Sequence, residues 1–178
     1  MIAEEKTISS ELILKGKIIE VRVEKAKLFD KEVTRELVLH NGGVCVAAFT
    51  DDDEIMLVKQ FRYPFKEALI ELPAGKLEAN EDHFTAGIRE LAEEVGATAD
   101  VYEYLGVIYP SVAYLSEKIH IYYAKSLHFG KTNFDEDEYI ETLKIPFEEA
   151  VKMVLRNEIK DAKTVAGILM VAAKRNRK

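Results

Sequence analysis

One stretch constrains this chain more than any other: Gly75 to Ala97, "GKLEANEDHFTAGIRELAEEVGA". It packs Glu81, Asp82, Glu90, Glu93 and Glu94 into fourteen residues around a single arginine, Arg89. The helix signals are clear. At about 100° per residue, Phe84, Ile88, Leu91 and Val95 fall on one narrow apolar stripe, which is expected to pack on the core. Asn80 is the expected N-cap, with Glu81 and Asp82 suited to the positive end of the dipole, and Gly96 is the expected stop. Yet like charges three or four residues apart on a helix repel by a few tenths of a kcal/mol per pair. Something must offset that repulsion.

Glu90 and Glu94 share a flank with Gly87, and Glu93 lies beside them, with Arg89 placed to pair with Glu93. A solvated acidic face is the plain reading of such a run. Two details favour an ion site instead. Gly87 costs a helix interior about 1 kcal/mol relative to Ala, which an exposed face does not explain but a ligand approaching the backbone would. The helix also follows a Gly-containing loop, "LPAGKLEAN", whose carbonyls can point the same way. Hard divalent cations take carboxylate and carbonyl oxygens. Two or three Mg²⁺ ions, or Mn²⁺ in their place, would cancel the repulsion and leave positions open for phosphate oxygens.

The surrounding chain reads as β-structure first and mixed structure later. "KIIEVRVEKAKL" alternates Ile19, Val21 and Val23 with charged neighbours, and "TRELVLH" begins another strand. "NGG" at 41–43 turns the chain into the buried run "VCVAAF", and "DDD" at 51–53 turns it again into "EIMLVKQFR", a series resembling antiparallel hairpins. After the acidic helix come strand-like "VYEYLGVIY" and "KIHIYYAKSL", then helices over "PFEEAVKMVLRN" and "KTVAGILMVAAK". At 178 residues, 48% hydrophobic and 32% charged, the chain suits a single well-packed domain, or one domain with a small appendage. Its longest apolar run is too short for a bilayer, and its start lacks an export signal, so neither membrane nor secretion is expected. A net charge of −7 argues against a nucleic acid polymer as partner. The single cysteine, Cys45, sits in the apolar run and is expected to be a buried thiol in a reducing cytoplasm.

The spacing Gly75, five residues, Glu81, seven residues, "RELAEEVGA" matches every fixed position of the Nudix box, G-x5-E-x7-R-E-U-x-E-E-x-G-U, with Leu91 and Ala97 at aliphatic positions. The chain therefore resembles a Nudix hydrolase, a family that cleaves nucleoside diphosphates linked to another moiety. The resemblance implies an α/β fold of mixed α+β character: an α/β/α sandwich around a mixed sheet, with an N-terminal antiparallel β region. It implies that Glu90, Glu93 and Glu94 hold the metals, while Gly75, Glu81, Arg89 and Gly96 shape the loop–helix turn. "TRELVLHNGGV", "VKQFRYP" and "ELPAGKLE" narrow the likeness to the ADP-ribose pyrophosphatase branch. There the matching arginines, Arg35 and Arg62, grip phosphates and ribose, and the Ala74 carbonyl is a metal ligand. Arg makes bidentate, charge-assisted bonds to such groups, although a surface strand residue is the default reading of Arg35.

The remaining requirement is a base for the attacking water. "NFDEDEYIE" offers Glu136, Asp137, Glu138 and Glu141 on an expected loop leading into a strand. Position within the resemblance favours Glu136, with Glu138 next and Glu93 a further candidate catalytic acid, and a solvated acidic loop is the alternative. ADP-ribose would yield AMP and ribose 5-phosphate. Another nucleotide sugar or an FAD-like dinucleotide is the nearest rival, and a non-hydrolytic nucleotide sensor a more distant one. The chain departs from the branch at "YPSVAYLSE", where Val112 and Ala113 follow Pro110 and Ser111 in place of Pro-Gly. Ile18 and Ile19 replace an N-terminal aromatic that stacks on adenine, leaving Tyr114 or Phe65 as candidates. The branch also implies a homodimer, with residues 1–42 as its antiparallel exchange region and 43–178 as the hydrolase domain.

Overall fold

In the computed structural model, which describes residues 2–133 and 139–176, the chain divides into two units. The first comprises Met1–Gly42 and Tyr109–Lys118, the second Gly43–Ile108 and Ile119–Lys178. In the first unit β1 (Lys6–Lys15), β2 (Ile19–Leu28) and β3 (Lys31–His40) form an antiparallel sheet in that order. The 109–118 segment pairs with β3: the Val38 amide donates to the Tyr114 carbonyl at 2.8 Å, and the Ser116 amide to the Val38 carbonyl at 2.9 Å. Strand β1 was not anticipated. All ten of its residues are exposed, so no burial pattern marks it in the sequence.

The second unit is built on β4 (Gly43–Phe49), buried at every position. Successive side chains of a strand point to opposite faces, and here both faces are covered. Cys45, Ala47 and Phe49 join Ile55, Leu57, Ile121, Phe147 and Ile168 in one core. Val44, Val46 and Ala48 join Met56, Ala86, Leu91, Val95 and Tyr122 in the other. The strands that follow are β5 (Glu54–Arg62), β6 (Glu67–Glu71) and β7 (Ala74–Lys76), then α1 (His83–Val95), β8 (Ala97–Ile108), β9 (Ile119–Phe129) and β10 (Ile140–Pro146). Helices α2 (Phe147–Leu155) and α3 (Ala162–Arg175) close the chain and pack on the first core, while α1 packs on the second. This is an α/β/α sandwich.

The sheet runs β10-β5-β4-β9-β8, with β6 added to β5 and β7 to β4. β4 lies parallel to β9, from Gly43 opposite Ile119 to Phe49 opposite Lys125, and the other pairings are antiparallel. The local hairpin reading was correct for β4 into β5, but the parallel neighbour comes from 76 residues on, beyond the reach of turn signals. Burial pushes the Cys45 thiol up to about 12, which makes it a packed side chain rather than a nucleophile.

Candidate active site

Helix α1 begins two residues later than its expected cap suggests. Asp82, not Asn80, is the N-cap: its carboxylate accepts from the amides of Phe84 and Thr85, each at 3.0 Å. Asn80 instead takes a left-handed backbone conformation with φ of 66° in the loop before it. Gly96 ends the helix as expected, at φ 67°, where a side chain would be strained.

The buried face also differs from the expected stripe. Phe84 and Ile88 remain 45% and 40% exposed, whereas Glu90 and Glu94 are only 9% and 4% exposed. Ala86, Gly87, Glu90, Leu91, Glu94 and Val95 are the residues that α1 buries. The helix is thus rolled toward its carboxylates. A charged group at such depth must be paired or hydrogen-bonded, and the loop before the helix supplies partners. The Ala74 amide donates to Glu94 Oε2 at 2.8 Å. The Glu90 carboxylate lies directly over Gly75, so close that a Cβ there would fall 1.7 Å from Oε1. Gly75 is the cradle in which Glu90 sits.

Arg89 ties the outer acids to the same loop. It donates to Glu81 through Nε at 2.9 Å and Nη2 at 3.0 Å, and its Nη1 bridges Glu90 at 2.8 Å and Glu93 at 2.9 Å. Glu81 Oε2 accepts from the Glu78 amide at 3.0 Å. The Arg89 contact is the main cause holding the Glu81 carboxyl below the usual range. Glu81 and Arg89 therefore brace loop against helix. Among the described residues no three Asp, Glu, His or Cys side chains are grouped as a ready metal site. Glu90 and Glu93 share the Arg89 guanidinium while Glu94 binds the Ala74 amide, and carboxylate oxygens are the ligand type that hard cations take.

Gly87 has a different reason from the expected one. Its space is filled by Tyr102, whose hydroxyl would lie 2.1 Å from a Cβ at Gly87, and by Val44 at 3.1 Å. The glycine admits a neighbouring side chain, not a ligand. Among the described residues the Tyr102 hydroxyl is buried with no hydrogen-bond partner, a state that costs about 1–3 kcal/mol. Tyr102→Phe is expected to raise the melting temperature. Gly87→Ala is expected to destabilise by about 1–3 kcal/mol through overpacking, and to become neutral or stabilising in the Tyr102→Phe background. Thermal melts of the three variants test both.

The other sequence candidates lie in distinct places. Arg62, at the end of β5, is held by a buried acid: Nε donates to Glu71 Oε1 at 2.5 Å and Nη2 to Glu71 Oε2 at 2.7 Å. Arg35 belongs to the first unit, where its guanidinium binds Glu5, with Nε to Oε2 at 2.9 Å. Val112, Tyr114 and Phe65 are exposed. Glu136 and Glu138 lie outside the described residues. Sequence reasoning missed Glu71 and Lys163. The sole trace of Glu71 is a charge inside the apolar run "ALIELP".

Comparison with known proteins bears on the family and the fold. Residues 39–167 match the NUDIX domain. The chain is 41% identical over 168 residues to an ADP-ribose pyrophosphatase of Bacillus subtilis, across 93% of this chain and 91% of that protein. It is 36% identical over 168 residues, with the same two coverages, to a methanol dehydrogenase activator of Bacillus methanolicus. Among solved structures, one described as an ADP compounds hydrolase shares the fold with a TM-score of 0.86, at 19% identity and over 96% of this chain and 93% of that one.

Proposed function

The chain belongs to the NUDIX family, and from that premise we propose that it is a divalent-metal-dependent hydrolase of ADP-ribose. The observation that carries this reading is the burial of Glu90 and Glu94 against the Ala74–Gly75 backbone, an arrangement of acids that a core would otherwise exclude. The relatives named ADP-ribose pyrophosphatase support the substrate.

In this reading Glu90, Glu93 and Glu94, with the Ala74 carbonyl, would hold the ions, Mg²⁺ with Mn²⁺ as substitute, two or three in number. Such ions supply neutralisation of the charge that develops on a diphosphate during its cleavage. The chain's own residues do the rest. Gly75 leaves room for the Glu90 carboxylate, and Glu81 and Arg89 keep loop and helix in register. Arg62 grips phosphate, and Arg35 contributes to substrate binding. Glu136, with Glu138 as its alternate, takes the proton from the attacking water. The new bond joins water oxygen to phosphorus, the anhydride P–O bond breaks, and the products are AMP and ribose 5-phosphate.

A substrate panel tests the proposal. ADP-ribose, other nucleotide sugars and dinucleotides are each incubated with Mg²⁺ and the released mononucleotide identified. ADP-ribose is expected to show the highest kcat/KM; turnover no better than that of the others would defeat the choice. Removing divalent ions with EDTA is expected to abolish hydrolysis, and adding Mg²⁺ or Mn²⁺ to restore it.

The proposal extends to assembly and location. Residues 1–42 serve a homodimer and 43–178 form the hydrolase domain. Strand β1 supports this, since an exposed outer strand carrying Ile8, Leu12 and Leu14 offers a surface for a second copy. Light scattering giving a monomer mass would overturn it. Among the described residues no helix is long and apolar enough to cross a membrane. That, together with a single buried thiol, supports a cytoplasmic setting.

A further inference from the structure

Glu71 ends β6 at 2% exposure, and burial alone would push its carboxyl up. Two cations overcome that and hold it below the usual range: the Arg62 fork and the ammonium of Lys163, which contacts Glu71 Oε2. Lys163 comes from the first turn of α3, is itself largely enclosed, and also donates to Asp161 at 3.0 Å. Beside it Thr164, fully buried, accepts from the Leu72 amide at 2.7 Å while its hydroxyl donates to Asp161 at 2.6 Å. The first turn of α3 thus clamps the Glu71–Leu72 pair by side chain and by backbone. Two residues on, the Ala74 amide binds Glu94.

This arrangement costs desolvation that an apolar core would avoid. Its geometric yield is an arginine fixed on one edge. The fork occupies Nε and Nη2 and leaves further N–H donors for another group. A bidentate fork also removes most of the rotamer freedom that a solvated Arg side chain retains.

We propose that Glu71 and Lys163 are positioning residues, holding the Arg62 guanidinium in the orientation that receives the substrate's phosphate, with Lys163 fixing the shared Glu71 carboxylate from behind. This inference rests on the reading of Arg62 as a substrate-binding residue. It assigns α3, whose core face packs on the side of the sheet away from α1, a part in substrate recognition.

The test is a pair of mutant cycles read in KM and kcat for ADP-ribose. Arg62→Ala is expected to raise KM about ten- to a hundredfold, the worth of a hydrogen bond to a charged group. Glu71→Gln is expected to raise KM about tenfold with a smaller change in kcat, and Lys163→Met about threefold. In the Arg62→Ala background both effects should vanish, because positioning acts through Arg62 alone. Unchanged KM in Glu71→Gln and Lys163→Met, beside a raised KM in Arg62→Ala, overturns the proposal. So does an effect that persists undiminished in the Arg62→Ala background, which marks a purely structural role. Unchanged KM in Arg62→Ala overturns the reading of Arg62 and this inference together. Should Glu71→Gln fail to fold, the Lys163→Met cycle carries the test by itself, with the same criteria.

Discussion

Glu94→Gln is expected to lower kcat for ADP-ribose by on the order of a hundredfold or more at saturating Mg²⁺, with the fold intact. The physical argument separates two jobs of one side chain. Glu94 Oε2 accepts from the Ala74 amide at 2.8 Å, and a glutamine Oε1 can accept the same bond, so the loop stays attached. What is lost is the negative charge. Charge stabilisation by bound ions is worth several kcal/mol in a transition state, and each 1.36 kcal/mol is about a factor of ten in rate. Losing a buried negative charge beside other acids also relieves like-charge repulsion, so the melting temperature should hold or rise. Steady-state kinetics with a thermal melt decide it. Wild-type turnover by the variant sinks the metal assignment.

Gly75→Ala is expected to be nearly as damaging to activity and far milder in stability. A Cβ at this position would lie 1.7 Å from Glu90 Oε1 and 1.9 Å from Cδ. Those atoms are the end of a flexible side chain, so the carboxylate can swing aside without moving backbone. The move costs little folding energy, but it takes Glu90 out of its seat and disturbs its 2.8 Å contact with Arg89 Nη1. Displacing a positioned group by about 1 Å can cost on the order of a hundredfold in rate. The expected signature is therefore a large fall in kcat, a raised Mg²⁺ requirement and a melting temperature within a few degrees of the parent. A variant that keeps full activity would show that Glu90 need not rest on Gly75.

Much of this site was legible in the sequence because its parts are close along the chain. Glu81, Arg89, Glu90, Glu93 and Glu94 occupy one turn and one helix, where spacing fixes direction. Arg89 does pair with Glu93 at 2.9 Å, and Gly96 does stop the helix in a left-handed conformation. The alternating and continuous apolar runs gave β2, β4, β5, β9 and the last two helices for the same reason: burial at a regular period leaves a record in residue type.

Other features depend on contacts between distant residues. The roll of α1 was misjudged because hydrophobicity alone put Phe84 and Ile88 inward. In the fold, loop amides and the Gly75 hollow make burial of Glu90 and Glu94 affordable, so the apolar residues move to the flank. Gly87 could not be explained without knowing that Tyr102, on β8, fills its space. Strand β1 carries no signal because all ten of its residues are exposed.

The sequence by itself thus determined the acid cluster, its carrier helix and the family to which the chain belongs, since each is written within 23 consecutive residues. Tertiary structure alone decided which acids are buried, which glycine seats a carboxylate and which accommodates a tyrosine. It alone joined Arg62 to Glu71 and Glu71 to Lys163, residues 92 positions apart. The reason is physical: periodicity reports a residue's exposure along its own element, whereas hydrogen bonds and close approaches are set by neighbours that only folding supplies.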